Sequence, residues 1–337
     1  MPTAEELISA GRFTEAIRVL TAANRERRDH EIERRLVRLR LDAFAEVDRS
    51  VGLQSWPPVV PEAADPFAAR VDPPEVDRSE LTPELLRAAI VRHGCLLVRG
   101  LISPTSVERV TEGVECAFAA YDAHVEESPW YQPFDPGPGE RFFAEGWDAV
   151  IPREFVRSTD ALLAVESPPT LFDVIEALDE AGIGDLLTTY LGERPVLSVK
   201  KTSLRWTPAG TDAIWWHQDG KFLGRDIRAV NVWIALSYCG VDAPSLDFVA
   251  RRMDRIVETG TEGARHGWSV SDDVAAHAAS GTAVVRPVFT PGDALLFDHM
   301  FLHRTGVSPG MTRDRLAIEA WCFAASTFPA EQIPIVY

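Results

Sequence analysis

The chain has 337 residues, 46% hydrophobic and 25% charged, which suits a soluble globular protein with one large domain plus an appendage, or with two domains. Its net charge of −17 argues against a nucleic-acid-binding surface, which needs basic groups to neutralise phosphates, and against docking on anionic membranes. Four scattered cysteines form no C-x-x-C pair, no apolar leader opens the chain, and no apolar run nears the roughly 18 residues of a membrane span, so free thiols and a reducing cytoplasm are expected.

Residues 3 to about 48 read as helices. Thr3 with Glu6 fits a capping box, and Leu7, Ile8, Phe13, Ala16, Ile17 and Leu20 recur at helical spacing around a break at Gly11. Leu7 to Leu20 resembles half of a tetratricopeptide repeat, which cannot bury its own apolar face. This N-terminal extension (1–48) is therefore expected to pack on the main domain or to make a homodimer. Residues 49–80, dense in proline from Pro57 to Pro74, read as an extended linker.

Leu81 to His93 reads as a helix capped by Thr82 with Pro83 in its first turn, followed by a buried strand at Cys95 to Arg99 and a helix from Ser103 to Tyr121. The irregular, aromatic stretch Glu126 to Trp147 is either a lid over a site or a loop tucked onto the core. Leu171 to Leu191 reads as one helix ending at Gly192. From Val196 onward strands dominate: 196–206, 229–238, 246–249, 284–289, 294–297 and 316–323. Many short strands between turn residues predict a sandwich or jelly roll, not a parallel α/β sheet.

The run Trp215-Trp216-His217-Gln218-Asp219-Gly220 carries the strongest chemical signal. On an extended strand, alternation puts His217 and Asp219 on one face and Gln218 on the other. A distant histidine completes two imidazoles and one carboxylate, the set that leaves open positions on a non-heme Fe(II). His303 is preferred over His299 for that place, because Gly306 and Pro309 turn the chain soon after it, which leaves His299 behind the ligands or simply exposed. One face of the strand before the motif carries Lys201, Ser203 and Arg205, either to reach an acidic ligand or to make an edge strand soluble. Trp215, Trp216 and Phe222 would wall an apolar substrate.

Taken together, Leu96-Leu97-Val98-Arg99-Gly100, Trp216-His217-Gln218-Asp219, Val232-Trp233-Ile234-Ala235-Leu236, Pro291-Gly292-Asp293-Ala294-Leu295-Leu296-Phe297 with Leu302-His303, and Arg315-Leu316-Ala317-Ile318 resemble the phytanoyl-CoA dioxygenase (PhyH-like) branch of the Fe(II)/2-oxoglutarate-dependent oxygenases. The resemblance spans residues 81 to 325. It implies an α+β fold: a double-stranded β-helix (a cupin-like jelly roll) over 81–337, with flanking helices and the N-terminal extension outside the family core. It implies His217, Asp219 and His303 as iron ligands, Arg315 as the grip on the far carboxylate of 2-oxoglutarate with Arg313 as runner-up on the same strand face, and Trp233 near the cosubstrate. Fe(II), 2-oxoglutarate and O2 would then be used to hydroxylate, desaturate or cyclise a small molecule, releasing succinate and CO2. A carboxylate at Asp219 implies hydroxylase-type chemistry and not halogenation. Asp242 to Asp247 departs from the family pattern and would shape the substrate pocket. The competing expectations are a cupin-like metal enzyme that needs no cosubstrate, and a non-catalytic binding protein on the same fold.

Overall fold

The computed structural model describes residues 2–50, 56–57, 65–68, 72–125, 128–136, 153–212, 215–329 and 331–337. Three helices come first: α1 (Ala4–Ser9), α2 (Phe13–Glu26) and α3 (His30–Asp42). The capping box forms: Thr3 Oγ1 accepts from the Glu6 amide while the Glu6 carboxylate accepts from the Thr3 amide. Leu7, Ala16, Ile17, Leu20, Leu36 and Leu39 are buried against Phe172, Val196, Ala325 and Val336 of the same chain. The helical face that a lone unit leaves open is thus covered from within.

Much of the proline-rich stretch (51–55, 58–64 and 69–71) lies outside the described residues, as do Phe142, Phe143, Trp147 and residues 137–139 of the aromatic stretch. The end of the expected linker is a strand, β1 (Glu75–Asp77), paired in parallel with β2 (Cys95–Arg99) across the intervening helix α4 (Pro83–His93). Thr82 caps α4, its hydroxyl accepting from the Leu85 amide, and Ser103 does the same for α5 (Pro104–Asp122). A short helix, α6 (Arg153–Ser158), and a strand, β3 (Ala161–Leu163), follow. The single helix expected over 171–191 is two, α7 (Pro168–Glu180) and α8 (Ile183–Leu191), because Gly182 takes φ +74° and redirects the chain between them.

The remaining elements are β4 (Pro195–Thr207), α9 (Gly220–Leu223), β5 (Ala229–Ala235), β6 (Ser245–Arg252), α10 (Asp272–Ala279), β7 (Val284–Val285), β8 (Ala294–Phe297), β9 (Phe301–Gly306), β10 (Arg315–Ala324) and β11 (Pro334–Val336). They form two sheets. The large one runs β1-β2-β8-β5-β10-β4-β11, with β3 also on β4, and the small one runs β7-β6-β9. Val230, Val232 and Ile234 on one face of β5 pack under the helices, while Ala229, Trp233 and Ala235 on the other face meet Phe248, Phe289 and Phe301 between the sheets. The result is a mixed helix-and-sheet fold in three layers, and burial on both faces explains why β5 and β8 read as continuous apolar runs.

One irregularity decides where the chemistry sits. Leu197 and Val199 of β4 face the helix-side core, and so does Leu204 further along. Odd and even positions can share that side only because the β4–β10 register shifts between Ala320 and Cys322. Beyond the shift, Lys201, Ser203, Arg205 and Thr207 turn to the face opposite Leu204. β4 is paired on both sides, by β10 and by β3 or β11, so the edge-strand reading of this charged face is corrected.

Candidate metal centre and its cavity

His217 reaches the site through a backbone bridge. Its amide donates to the His303 carbonyl (2.9 Å) and its carbonyl accepts from the His303 amide (3.1 Å), which lays Trp216-His217 alongside β9. The two imidazole centroids stand 4.3 Å apart. Asp219 is not the second residue of an extended strand. It takes φ −63° and ψ −24° and begins α9, so a turn, not strand alternation, aims its carboxylate inward. The turn is tight: a Cβ on Gly220 would lie 2.6 Å from Ile256 Cδ1 and 3.0 Å from the His299 carbonyl. Gln218 points away as expected. Its amide donates to the carbonyls of Met300 (2.7 Å) and Arg255 (3.2 Å) and accepts from the Val257 amide (2.6 Å), pinning the loop from behind.

One donor atom from each of His217, Asp219 and His303 lies within 4.8 Å of the others. His303 Nε2 is 3.7 Å from Asp219 Oδ2. Each imidazole places Nδ1 beside a carbonyl, His217 against Trp215 (2.9 Å) and His303 against Phe301 (3.1 Å). A carbonyl only accepts, so Nδ1 carries the proton and Nε2 keeps its lone pair for a cation. Burial, and then the neighbouring His217, push His303 down to about 4, so it is neutral as a ligand must be. Burial pushes the Asp219 carboxyl up, but Lys201 and then the two imidazoles outweigh it and hold Asp219 well below the usual carboxylate range. Two imidazoles and one carboxylate beside an open cavity fit a divalent metal that keeps free coordination positions.

His299 lies apart from this triad. It is buried, not exposed, and its Nε2 is 2.9 Å from the Arg225 carbonyl.

The cavity is walled by Phe155, Trp215, Phe222, Leu246 and Trp268 and floored by polar groups from β4 and β10. Trp216 is no part of that wall. It is buried on the outer side of the small sheet, with Nε1 on Asp272 (2.9 Å) and Arg304 4.5 Å over its ring. On the floor, Lys201 Nζ donates to Asp219 Oδ1 at 2.6 Å, and Arg205 donates to Glu319 at 2.9 Å. Ser203 also donates to Glu319 (3.2 Å) and lies outside the cavity lining.

Arg315 opens β10 opposite Thr207 and is buried. It donates to the Ser245 carbonyl (2.7 Å) and to Thr207 Oγ1 (2.8 Å), while its buried Nε–H has no partner. Burial pushes it down to about 10, which leaves it charged at neutral pH. Trp233 does not line the cavity; its ring lies under the Arg315 guanidinium at 5.6 Å and packs on Phe289. Arg313 is corrected as an alternative anchor. It precedes β10, its side chain is 62% exposed, and it faces Asp242 outside the cavity. Asp242 to Asp247 contributes one wall residue, Leu246, whereas Asp247 is tied to Arg286 and Arg304.

Among the lining residues that went unremarked in the sequence are Thr207, Glu319, Asp160 and Trp268. Glu319 was findable, because strand alternation puts residues 315, 317 and 319 on one face. Thr207 continues the face of Lys201 and Arg205 in the same way. Asp160 and Trp268 sit in irregular segments that carry no period.

The sequence profile of the phytanoyl-CoA dioxygenase (PhyH) family matches residues 90–313. No curated protein matches the sequence. Solved structures similar to this chain include AviO1 from Streptomyces viridochromogenes Tue57, with 16% identity and a TM-score of 0.44 over 70% of this chain and 91% of that one. Another is EctD from S. alaskensis with 2-oxoglutarate and 5-hydroxyectoine, at 15% identity and a TM-score of 0.48 over 74% and 79%. A third is SnoK, a non-heme alpha ketoglutarate dependent carbocyclase from nogalamycin biosynthesis, at 14% identity and a TM-score of 0.47 over 74% and 86%. The profile match covers well over half of the sequence and encloses every metal-ligating candidate, and on that match the chain belongs to the phytanoyl-CoA dioxygenase family.

Proposed function

We propose that this protein is an Fe(II)- and 2-oxoglutarate-dependent oxygenase of the hydroxylase type, acting on a small organic molecule, with the two facing sheets read as a double-stranded β-helix. The observation that carries this reading is the pairing of two features in one cavity. His217, Asp219 and His303 converge with free donor atoms, and a buried, incompletely satisfied Arg315 stands on the same floor. Iron with 2-oxoglutarate and O2 would supply the oxidising chemistry, with succinate and CO2 as co-products.

The chain's own groups bind and orient. His217, Asp219 and His303 would hold the metal. Arg315 offers a planar fork suited to a carboxylate and has donors to spare, since two of its five N–H groups are engaged. Trp233 supports that fork from below. Lys201 balances the Asp219 charge, and the Arg205–Glu319 pair closes the floor without adding net charge. Trp215, Phe222 and Trp268 keep water from the metal's open side.

The test is succinate release by the purified protein with Fe(II), 2-oxoglutarate and O2, alongside calorimetric titration of 2-oxoglutarate into iron-loaded protein without oxygen. Binding with measurable succinate release is expected, and both are lost in His217→Ala. Iron-loaded protein that binds no 2-oxoglutarate would overturn the reading.

A further inference from the structure

We infer that this cavity binds a compact organic cation, so that the substrate carries a protonated amine, an amidine or a quaternary ammonium group. The inference names the substrate class of the proposed oxygenase and rests on that reading. Three carboxylates line the cavity. Two have a cation of their own: Asp219 has Lys201 at 2.6 Å and Glu319 has Arg205 at 2.9 Å. Asp160 differs. Thr211 Oγ1 donates to its Oδ2 at 2.8 Å, and among the described residues no basic side chain is in contact with its carboxylate, the Arg315 guanidinium acting on it only from beyond ion-pair distance.

The backbone of Asp160 is also unusual. It holds φ +59°, a left-handed conformation that costs a residue with a Cβ and that recurs at functional sites. It lies between α6 and β3, where Arg205 secures the turn by donating to the Thr159 carbonyl at 2.8 Å. The strained residue is therefore held in place at the cavity wall.

Aromatic rings share the cavity with this carboxylate. Trp268 is the hub: its ring lies 6.1 Å from Phe155, 5.8 Å from Trp215, 5.3 Å from Phe222 and 6.2 Å from the imidazole of His217. Phe155 is 48% exposed at the outer end. The wall thus runs from solvent to a metal-ligating candidate, and a molecule lying along it would have its body beside the triad. Aromatic faces attract a desolvated cation through the ring quadrupole, and an acidic partner adds a charge-assisted hydrogen bond. The chain's net charge of −17 raises the local concentration of cations and lowers that of anions. Rings with a carboxylate also suit a neutral polyol, but neither Asp160, which has no contact ion pair among the described residues, nor the overall field favours one.

The test uses benzylammonium, benzyl alcohol and benzoate, which share a ring and differ in charge. Each is titrated calorimetrically into full-length protein, both metal-free and loaded with Fe(II) and 2-oxoglutarate without oxygen. Benzylammonium is expected to bind at least about tenfold more tightly than benzyl alcohol, with benzoate weakest once 2-oxoglutarate is bound. Asp160→Asn keeps a residue that tolerates the left-handed backbone and should abolish the preference. Phe155→Ala, at an exposed position, should weaken benzylammonium about threefold or more. Benzyl alcohol binding as tightly as benzylammonium, or benzoate doing so once 2-oxoglutarate occupies Arg315, would overturn the inference. So would an unchanged preference in an Asp160→Asn protein that melts like the parent. Iron and 2-oxoglutarate binding are read on the same preparations. Their failure would remove the oxygenase reading, whereas the cation preference is decided by benzylammonium against benzyl alcohol in the metal-free titration, where benzoate carries no weight because the open Arg315 fork suits any carboxylate.

Discussion

Two regions of this molecule concentrate charge under partial burial, and they treat it in opposite ways. Along the seam between the N-terminal helices and α7, charges are matched within the chain. Arg28 donates to Glu33 (2.5 Å), to Asp173 (2.6 Å) and to the Pro169 carbonyl (3.0 Å), Asn24 donates to Glu33 (3.1 Å), and Arg25 pairs with Glu176. In the cavity the matching stops short. His217 and His303 leave Nε2 free, Arg315 leaves a buried N–H without a partner, and Asp160 has no contact ion pair among the described residues. Charge density does not separate the two regions. What separates them is the unused hydrogen-bonding and coordinating capacity, which costs stability unless a ligand takes it up.

The sharpest way to break this comparison is to remove one arginine from each region. Arg315→Ala should raise the KM for 2-oxoglutarate by about two orders of magnitude or more, because the far carboxylate loses its bidentate partner. Iron affinity should hold, since Arg315 touches none of the three ligands. Arg28→Ala should do the reverse. It removes the cation shared by Glu33 and Asp173, both almost fully buried, leaving Glu33 with His30 and Asn24 and Asp173 with Arg109, and should cost about 2 kcal/mol of unfolding free energy while each folded molecule turns over normally. Denaturant unfolding and succinate kinetics on the two variants decide the matter. A catalytic defect in Arg28→Ala at unchanged stability would dissolve the distinction.

Much of this layout is legible in the sequence where a period carries it. Helix caps at Thr3, Thr82 and Ser103, and the strands around Val232 and Leu295, follow from local chemistry. A His-x-Asp tripeptide with one distant histidine sufficed to name the donors that converge. Three things were hidden, each for a physical reason. The turn at Asp219 replaces the expected strand, because Gly220 lets the chain pass close to the His299 carbonyl. The β4 register shift, which turns Lys201 and Arg205 into the cavity, depends on pairing with β10 and leaves no mark in β4 itself. Trp268 comes from an irregular loop, where no alternation says which way a side chain points. The expected strand at 284–289 shrinks to Val284–Val285, since Pro287 lacks the N–H that a continuing ladder needs.

A smaller effect probes the border between the regions. Gln218 sits in the metal motif yet behaves like a seam residue, with all its bonds directed to backbone: Met300, Arg255 and Val257. Gln218→Ala leaves those buried groups unpaired and should cost about 1–3 kcal/mol of stability. It should also loosen the loop that aims His217 and Asp219, lowering metal affinity about tenfold or more. Metal titration and thermal unfolding on one sample read both losses. Full metal affinity in a destabilised protein would confine Gln218 to the seam's role.

The smallest expected effect tests whether the seam's charges serve stability alone. Glu46, just after α3, accepts from the backbone amides of Phe13 and Thr14 and so caps α2, whose N-cap residue Arg12 makes no side-chain cap of its own. Burial raises the Glu46 carboxyl, but hydrogen bonds from Thr14 and then Phe13 outweigh it, and the net shift is downward. A carboxylate lowered by folding contributes stability that is present above its unfolded value of about 4.3 and is lost as pH falls through the folded value. Glu46→Gln should therefore cost under about 1 kcal/mol at pH 7, since the group is exposed and solvent-screened. The gap between variant and parent should close as pH falls below about 4. Urea unfolding at pH 7 and at low pH measures it. A gap that persists in acid would show that Glu46 acts through packing and not through its charge.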